Sequence, residues 1–134
     1  MLTLRKAEVS IEFLFLVGII LFIFVIVDVL VGLRIKEINE SSISLEAQKI
    51  VRSVANEINI ATRIKGYYRE FELPKNLPNG ENYSISINKD FRLVEIKWDN
   101  KISVSKILTE NITGIVKPGV NRIRNEEGLI IIES

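Results

Sequence analysis

The sequence predicts an α+β chain: a long N-terminal α-helix, transmembrane and then amphipathic, followed by an antiparallel β-sheet domain. Three observations carry this expectation. Ile11–Leu33 is an apolar run interrupted only by Glu12 and Asp28. Beyond it, apolar residues recur in steps of three and four as far as Ala61. After Gly66 the period changes to two, and short alternating stretches are separated by turn-forming pairs.

The apolar run comes first. At about 1.5 Å rise per residue, roughly 20 residues cross a ~30 Å hydrocarbon layer, so this stretch is long enough to span. A core helix of a soluble domain would show a polar face, and Phe13–Val27 has none. Arg5 and Lys6 precede the run and Arg34 and Lys36 follow it, so charge leaves the orientation nearly balanced. Length breaks the tie. A short basic stub, an apolar run and a long polar chain is the order of a signal anchor, with the C-terminal part outside a single-pass cell membrane. Val31-Gly32-Leu33-Arg34 is a poor site for ordinary signal cleavage, so either the anchor is retained or processing takes place before it. Gly18 and Gly32 are candidate close-packing points between helices.

A second helical stretch continues the first, with Asn39-Glu40-Ser41-Ser42 as the place for a kink. Ile43, Ala47, Ile50, Val54, Ile58 and Ala61 form one face, with Glu46, Lys49, Arg52 and Glu57 off it. Gly66 is a credible stop. The apolar stripe calls for a cover, and the sheet that follows is the expected one. A coiled-coil partner is the alternative, for which the stripe is short.

The remainder reads as five to seven short strands in an antiparallel meander. Tyr67–Leu73 is extended, and Pro74–Gly80 is turn-rich and ends in Asn-Gly. Tyr83, Ile85 and Ile87 alternate with polar residues. Lys89-Asp90 turns into Phe91–Trp98, and Asp99-Asn100 leads through Ile102 and Val104 toward Ile107. Asn111–Val116, Val120–Arg124 and Leu129–Ile132 complete the set. Trp98 is expected in the core.

Composition narrows the function. The 134-residue chain has no cysteine and no histidine, which removes disulfides, thiol nucleophiles, Cys/His metal sites and the commonest general base. No carboxylate cluster stands in its place in the outer domain. The expectation is a protein that is not an enzyme, with no catalytic residue, cofactor or metal. A net charge of +1 gives no reason to expect nucleic acid as a partner. Asn39-Glu40-Ser41, Asn82-Tyr83-Ser84 and Asn111-Ile112-Thr113 are N-glycosylation triplets, more than the roughly one that chance supplies. Together they make Asn39, Asn82 and Asn111 candidate acceptors in an exported chain, Asn39 least so because it lies near the membrane.

One short motif points further. Ala7-Glu8-Val9-Ser10-Ile11-Glu12-Phe13-Leu14-Phe15-Leu16, behind a basic leader and directly ahead of the apolar run, resembles the class III signal peptide of archaeal type IV pilin-like proteins. The family pattern is Gln-x-Ser-x-Glu-x-x-x-Leu, cut just before the Gln. Ser10, Glu12 and Leu16 match it, and Glu8 stands where the family has Gln. The resemblance covers about nine residues. It implies a leader at 1–7, an apolar transmembrane or filament-core helix at 8–33, an amphipathic helix at 34–66 and a β domain at 67–134, which is the family's gross layout. It implies processing by a prepilin peptidase at Ala7, Glu8, Ser10, Glu12 and Leu16. It also implies subunit registration, with Glu12 of one copy pairing with the α-amine freed at Glu8 of a neighbour. The partners would be the peptidase, membrane lipid before assembly, and other pilin subunits along the apolar helix. The implied function is a pilin, minor pilin or pseudopilin-like structural subunit of a surface filament.

Two plainer readings stand beside it. Glu12 is also tolerable as a headgroup-level carboxylate at the start of a span. Asp28, about 160° around the helix from Glu12, reads as interfacial, as a partner for Arg34 or Lys36 of a neighbour, or as the point where the span ends early. The rival function is a bitopic, membrane-anchored β module that binds the surface layer or a secretion or filament machine.

Overall fold

A computed structural model describes residues 2–134, with side chains from Arg5 onward. One α-helix, α1 (Leu2–Arg63), is followed by seven strands: β1 (Tyr68–Leu73), β2 (Ser84–Asn88), β3 (Leu93–Trp98), β4 (Lys101–Lys106), β5 (Ile112–Gly114), β6 (Gly119–Glu126) and β7 (Leu129–Glu133). The layout is the α+β order that the sequence predicts. Helical backbone continues through Asn39–Ser42 without interruption. The chain divides into two compact units, residues 1–40 and 41–134, so the second unit takes the last turns of α1 along with all the strands.

In the first unit, the helix has no proline and no glycine before Gly18, and among the described residues of the unit nothing covers it.

The second unit has a core of its own. Ile43, Ala47, Ile50, Val54, Ile58 and Ala61 are all buried, joined by Val51 and Ala55, which widen the stripe beyond a single line. They share one core with Ile85, Val94, Ile96 and Trp98 of β2 and β3 and with Ile112, Ile123, Ile130 and Ile132 of β5, β6 and β7. Burial of this stripe is what stabilises the amphipathic turns. Isolated helices of this length are marginal in water, and each buried aliphatic side chain contributes about 1.5–3 kcal/mol.

The strands form two sheets rather than one meander: β1-β6-β7-β5 and β2-β3-β4. The β3–β4 and β6–β7 links are two-residue turns, with φ of 48° at Asp99, 52° at Glu127 and 96° at Gly128. Turns this tight force their flanking strands to pair. The connections 74–83 and 107–111 impose no such pairing, and across each of them the chain changes sheet. β5 then joins β7 in parallel, opposite Ile130–Ile132, an exception to the antiparallel pattern. Gly114 makes this join close. A Cβ there would collide with the carbonyl oxygen of Ile132, and its φ of 105° is one that L side chains rarely adopt.

Three polar anchors hold the connections. Asn121, fully buried, donates to the carbonyls of Lys117 (2.7 Å) and Gly119 (3.0 Å) and accepts from the Lys117 amide (3.0 Å). Asn59 on α1 accepts from the Leu108 amide at 2.8 Å as the chain leaves β4. Tyr83, buried just before β2, donates its hydroxyl to the Pro74 carbonyl.

Candidate processing and assembly segment

Ala7, Glu8, Ser10, Glu12 and Leu16 all lie within the first four turns of α1, and all are exposed. Glu8, Glu12 and Leu16 follow one another at four-residue intervals, which sets them on one line of the helix. Ser10 lies on the far side of the helix from that line, and Ala7 beside it. The two carboxylates of the line are one turn apart, a like-charge pair that costs the helix about 0.2–0.5 kcal/mol. A cation brought to this end would remove that cost.

Beyond Glu12 the surface is apolar on every side. From Ile11 to Leu33 all residues are exposed except the half-buried Val17; Phe15 is 71% exposed and Phe22 67%. An uncovered apolar surface of this extent marks a lipid or protein contact. The helix is long and apolar enough to cross a membrane. Glu12 and Asp28 stand within this surface, and among the described residues neither has an ion-pair partner. Arg34, the nearest cation C-terminal to Asp28, binds Glu37 at 3.0 Å in an exposed pair three residues apart. Pairs of this kind contribute little and exchange readily.

The second unit offers two surfaces that the sequence does not announce. On β4 the polar residues Ser103 and Ser105 lie opposite the buried Ile96 and Val94, so it is they that face inward. Ile102 and Val104 therefore point outward, 61% and 51% exposed, on an edge strand. Alternation reveals a strand but not its phase, which is why this face is invisible to pattern reading. The second surface is a cleft of about 230 Å³ between β2 and β5, where the two sheets fail to meet, lined by Ile85, Ile87, Ile112, Ile115 and Val116 with Lys89. By contrast, the outer face of the four-stranded sheet is covered by ion pairs, Arg122–Glu70 at 3.0 Å and Arg124–Glu133 at 3.1 Å.

The three candidate glycan acceptors differ in their surroundings. Asn39 is exposed on α1. Asn82 is exposed and uses only its carbonyl oxygen, accepting from Asn76 at 2.8 Å. Asn111 spends its amide nitrogen on the Gly128 carbonyl at 3.1 Å, where it braces the β6–β7 turn. Among the described residues no group of three or more His, Cys, Asp or Glu is arranged to hold a metal ion.

No protein-family model, curated protein or solved structure matches this chain. What the structure shares with pilins is the order of its parts, a long apolar N-terminal helix followed by antiparallel β-sheet.

Proposed function

We propose that this chain is a structural subunit, a pilin, minor pilin or pseudopilin-like protein, of an archaeal type IV pilus-like surface filament. A prepilin peptidase removes residues 1–7. The apolar helix holds the subunit in the membrane with its β domain outside, then exchanges lipid for neighbouring subunits. The observation that carries this reading is an apolar helix exposed on every side, entered through the Ser10–Glu12–Leu16 motif. A second unit with its own core supports it, since such a module needs nothing from the apolar helix to stay folded.

The outward Ile102 and Val104 favour a second reading, a bitopic anchored module that docks a partner through β4. N-terminal sequencing of the protein from native membranes separates the two. A mature chain starting at Glu8 supports the processed subunit; an intact Met1 overturns processing and leaves the anchored module. Intact mass of the same sample tests the glycans, with Asn82, exposed and outside α1, the acceptor that engages only its carbonyl oxygen.

A further inference from the structure

Two pairs of opposite charges in the first unit share one spacing. Twenty-two residues separate Lys6 from Asp28, and twenty-two separate Glu12 from Arg34. On an ideal helix this spacing returns to within about 40° of the starting direction, so each pair shares a face. The spacing equals two 11-residue repeats, the period that a slight right-handed wind keeps in line. One face therefore carries Glu12 toward its inner end, with Arg5 seven residues before it, and Arg34 at its outer end. The other carries a base and then an acid. Both are apolar in between, with Leu16, Ile23 and Leu30 on the first and Phe13, Val17 and Phe24 on the second.

We infer that these two faces bind each other in successive copies of the chain, parallel and offset by six residues, about 9 Å along the axis. At that offset Asp28 of one copy is level with Arg34 of the next, and Lys6 is level with Glu12. Among offsets that leave both spans in one bilayer, six residues alone brings both acids level with a cation. The Asp28–Arg34 contact cannot form within one chain, because the two lie six residues apart and about 120° around the helix. Arg34 gives up only the exposed pair with Glu37 to make it. Removal of residues 1–7 takes Lys6 away, and the α-amine of Glu8 lies about 3 Å along the axis but about 160° around the helix from it, so after processing the outer Asp28–Arg34 contact alone holds the register.

The two faces lie about 120° apart on the same helix, so a copy bound through one presents the other to a newcomer. Such a contact is heterologous and does not close on a dimer; it extends. This inference rests on the assembly reading above and adds to it the register and the outer charge pair.

The absence of native cysteine makes crosslinking clean. The full-length double variant Val17→Cys/Ile23→Cys, oxidised mildly in membranes, should give a ladder of dimers, trimers and higher species. Neither single variant should crosslink, because like positions lie about 9 Å apart along the stack. In the double-cysteine background, Asp28→Asn and Asp28→Lys should each reduce the ladder at least tenfold, and Asp28→Lys/Arg34→Asp should restore it. Crosslinking through either single cysteine, or a ladder indifferent to Asp28, overturns the offset while self-association stands. Co-purification of two differently tagged wild-type copies without the double-cysteine ladder has the same meaning. If tagged wild-type copies do not co-purify at all, the assembly reading falls with it.

Discussion

The side-chain amide of Asn125, on β6, donates to the carbonyl of Ala61 at 2.7 Å and to that of Ile64 at 3.2 Å, closing the C-terminal end of α1. The last carbonyls of a helix have no partner within it, and here a strand residue sixty-four positions away supplies one. The same side chain accepts from the Gly128 amide at 2.8 Å, so one asparagine ties the helix end to the β6–β7 turn. Its burial leaves no water to take over. Asn125→Ala should therefore cost about 1–3 kcal/mol. Fluorescence of Trp98, the sole and buried tryptophan, reports it as a lower denaturation midpoint in detergent solution. An unchanged midpoint would show that the helix end needs no cap.

Gly114 should tolerate substitution least of the glycines. In Gly114→Ala the methyl meets the Ile132 carbonyl, and β5 must leave β7. Gly119→Ala has an equally awkward φ of 102° but open space around it. The expected order is a loss of about 1 kcal/mol for Gly119→Ala and clearly more for Gly114→Ala. Equal losses would make backbone conformation, not the close approach, the reason for glycine at 114.

β4 turns its apolar residues outward, and its stability should show it. Ile102→Ser/Val104→Thr should change the denaturation midpoint by no more than about 0.5 kcal/mol equivalent, as at other surface sites. Ile96→Ala, on the neighbouring strand and fully buried, should cost about 2–5 kcal/mol. If the β4 double variant were as damaging as Ile96→Ala, the outward assignment of this strand would be wrong.

β4 also marks how far pattern reading extends. The stripe from Ile43 to Ala61 is legible in the sequence because a 3.6-residue period names both the element and its buried face. A strand's period of two names the element and leaves the face open, since either half of Lys-Ile-Ser-Val-Ser-Lys can point inward. The division into two sheets is hidden for a similar reason. Asp99-Asn100 and Glu127-Gly128 dictate pairing through tight turns, whereas the β1–β6 and β5–β7 partners are far apart in the chain and no local turn selects them. Asn125 and Asn121 look like ordinary turn residues until the helix end and the 117–119 loop are placed beside them. The motif at Ser10, Glu12 and Leu16 is legible as a string. Its apolar surroundings gain meaning once the helix is seen to be uncovered on every side.

Tyr83 gives the second unit an alkaline limit. Burial pushes its hydroxyl from the ordinary 10.0 up to about 12. The folded form then holds its proton where the unfolded chain has released it. The corresponding stability is complete below pH 10 and is lost between pH 10 and 12, with a ceiling of about 2–3 kcal/mol. Tyr83→Phe lacks this titration. It should be less stable than wild type at pH 9 by about 1 kcal/mol through the lost bond to Pro74. The gap should narrow as pH rises toward 12. Other titrating groups are shared and cancel in the difference, so a gap constant with pH would rule Tyr83 out as the source.

Glu12 tests the apolar segment itself. In a bilayer its carboxylate lies at the edge of the span, where the cost is well below the roughly 2.5–3.5 kcal/mol of a central charge. Glu12→Gln removes that cost, so membrane insertion should be unimpaired or slightly better. In an assembly of apolar helices the same carboxylate is shielded from water, where attraction to a cation is several-fold stronger than at an exposed site. Glu12→Gln should then reduce the assembled fraction by at least tenfold while the amount in the membrane fraction stays constant. The check is to quantify sheared surface filaments and membrane protein from the same cells. Filaments at wild-type yield would return Glu12 to a bystander at the headgroup boundary, and equal losses from both fractions would make it an insertion determinant instead.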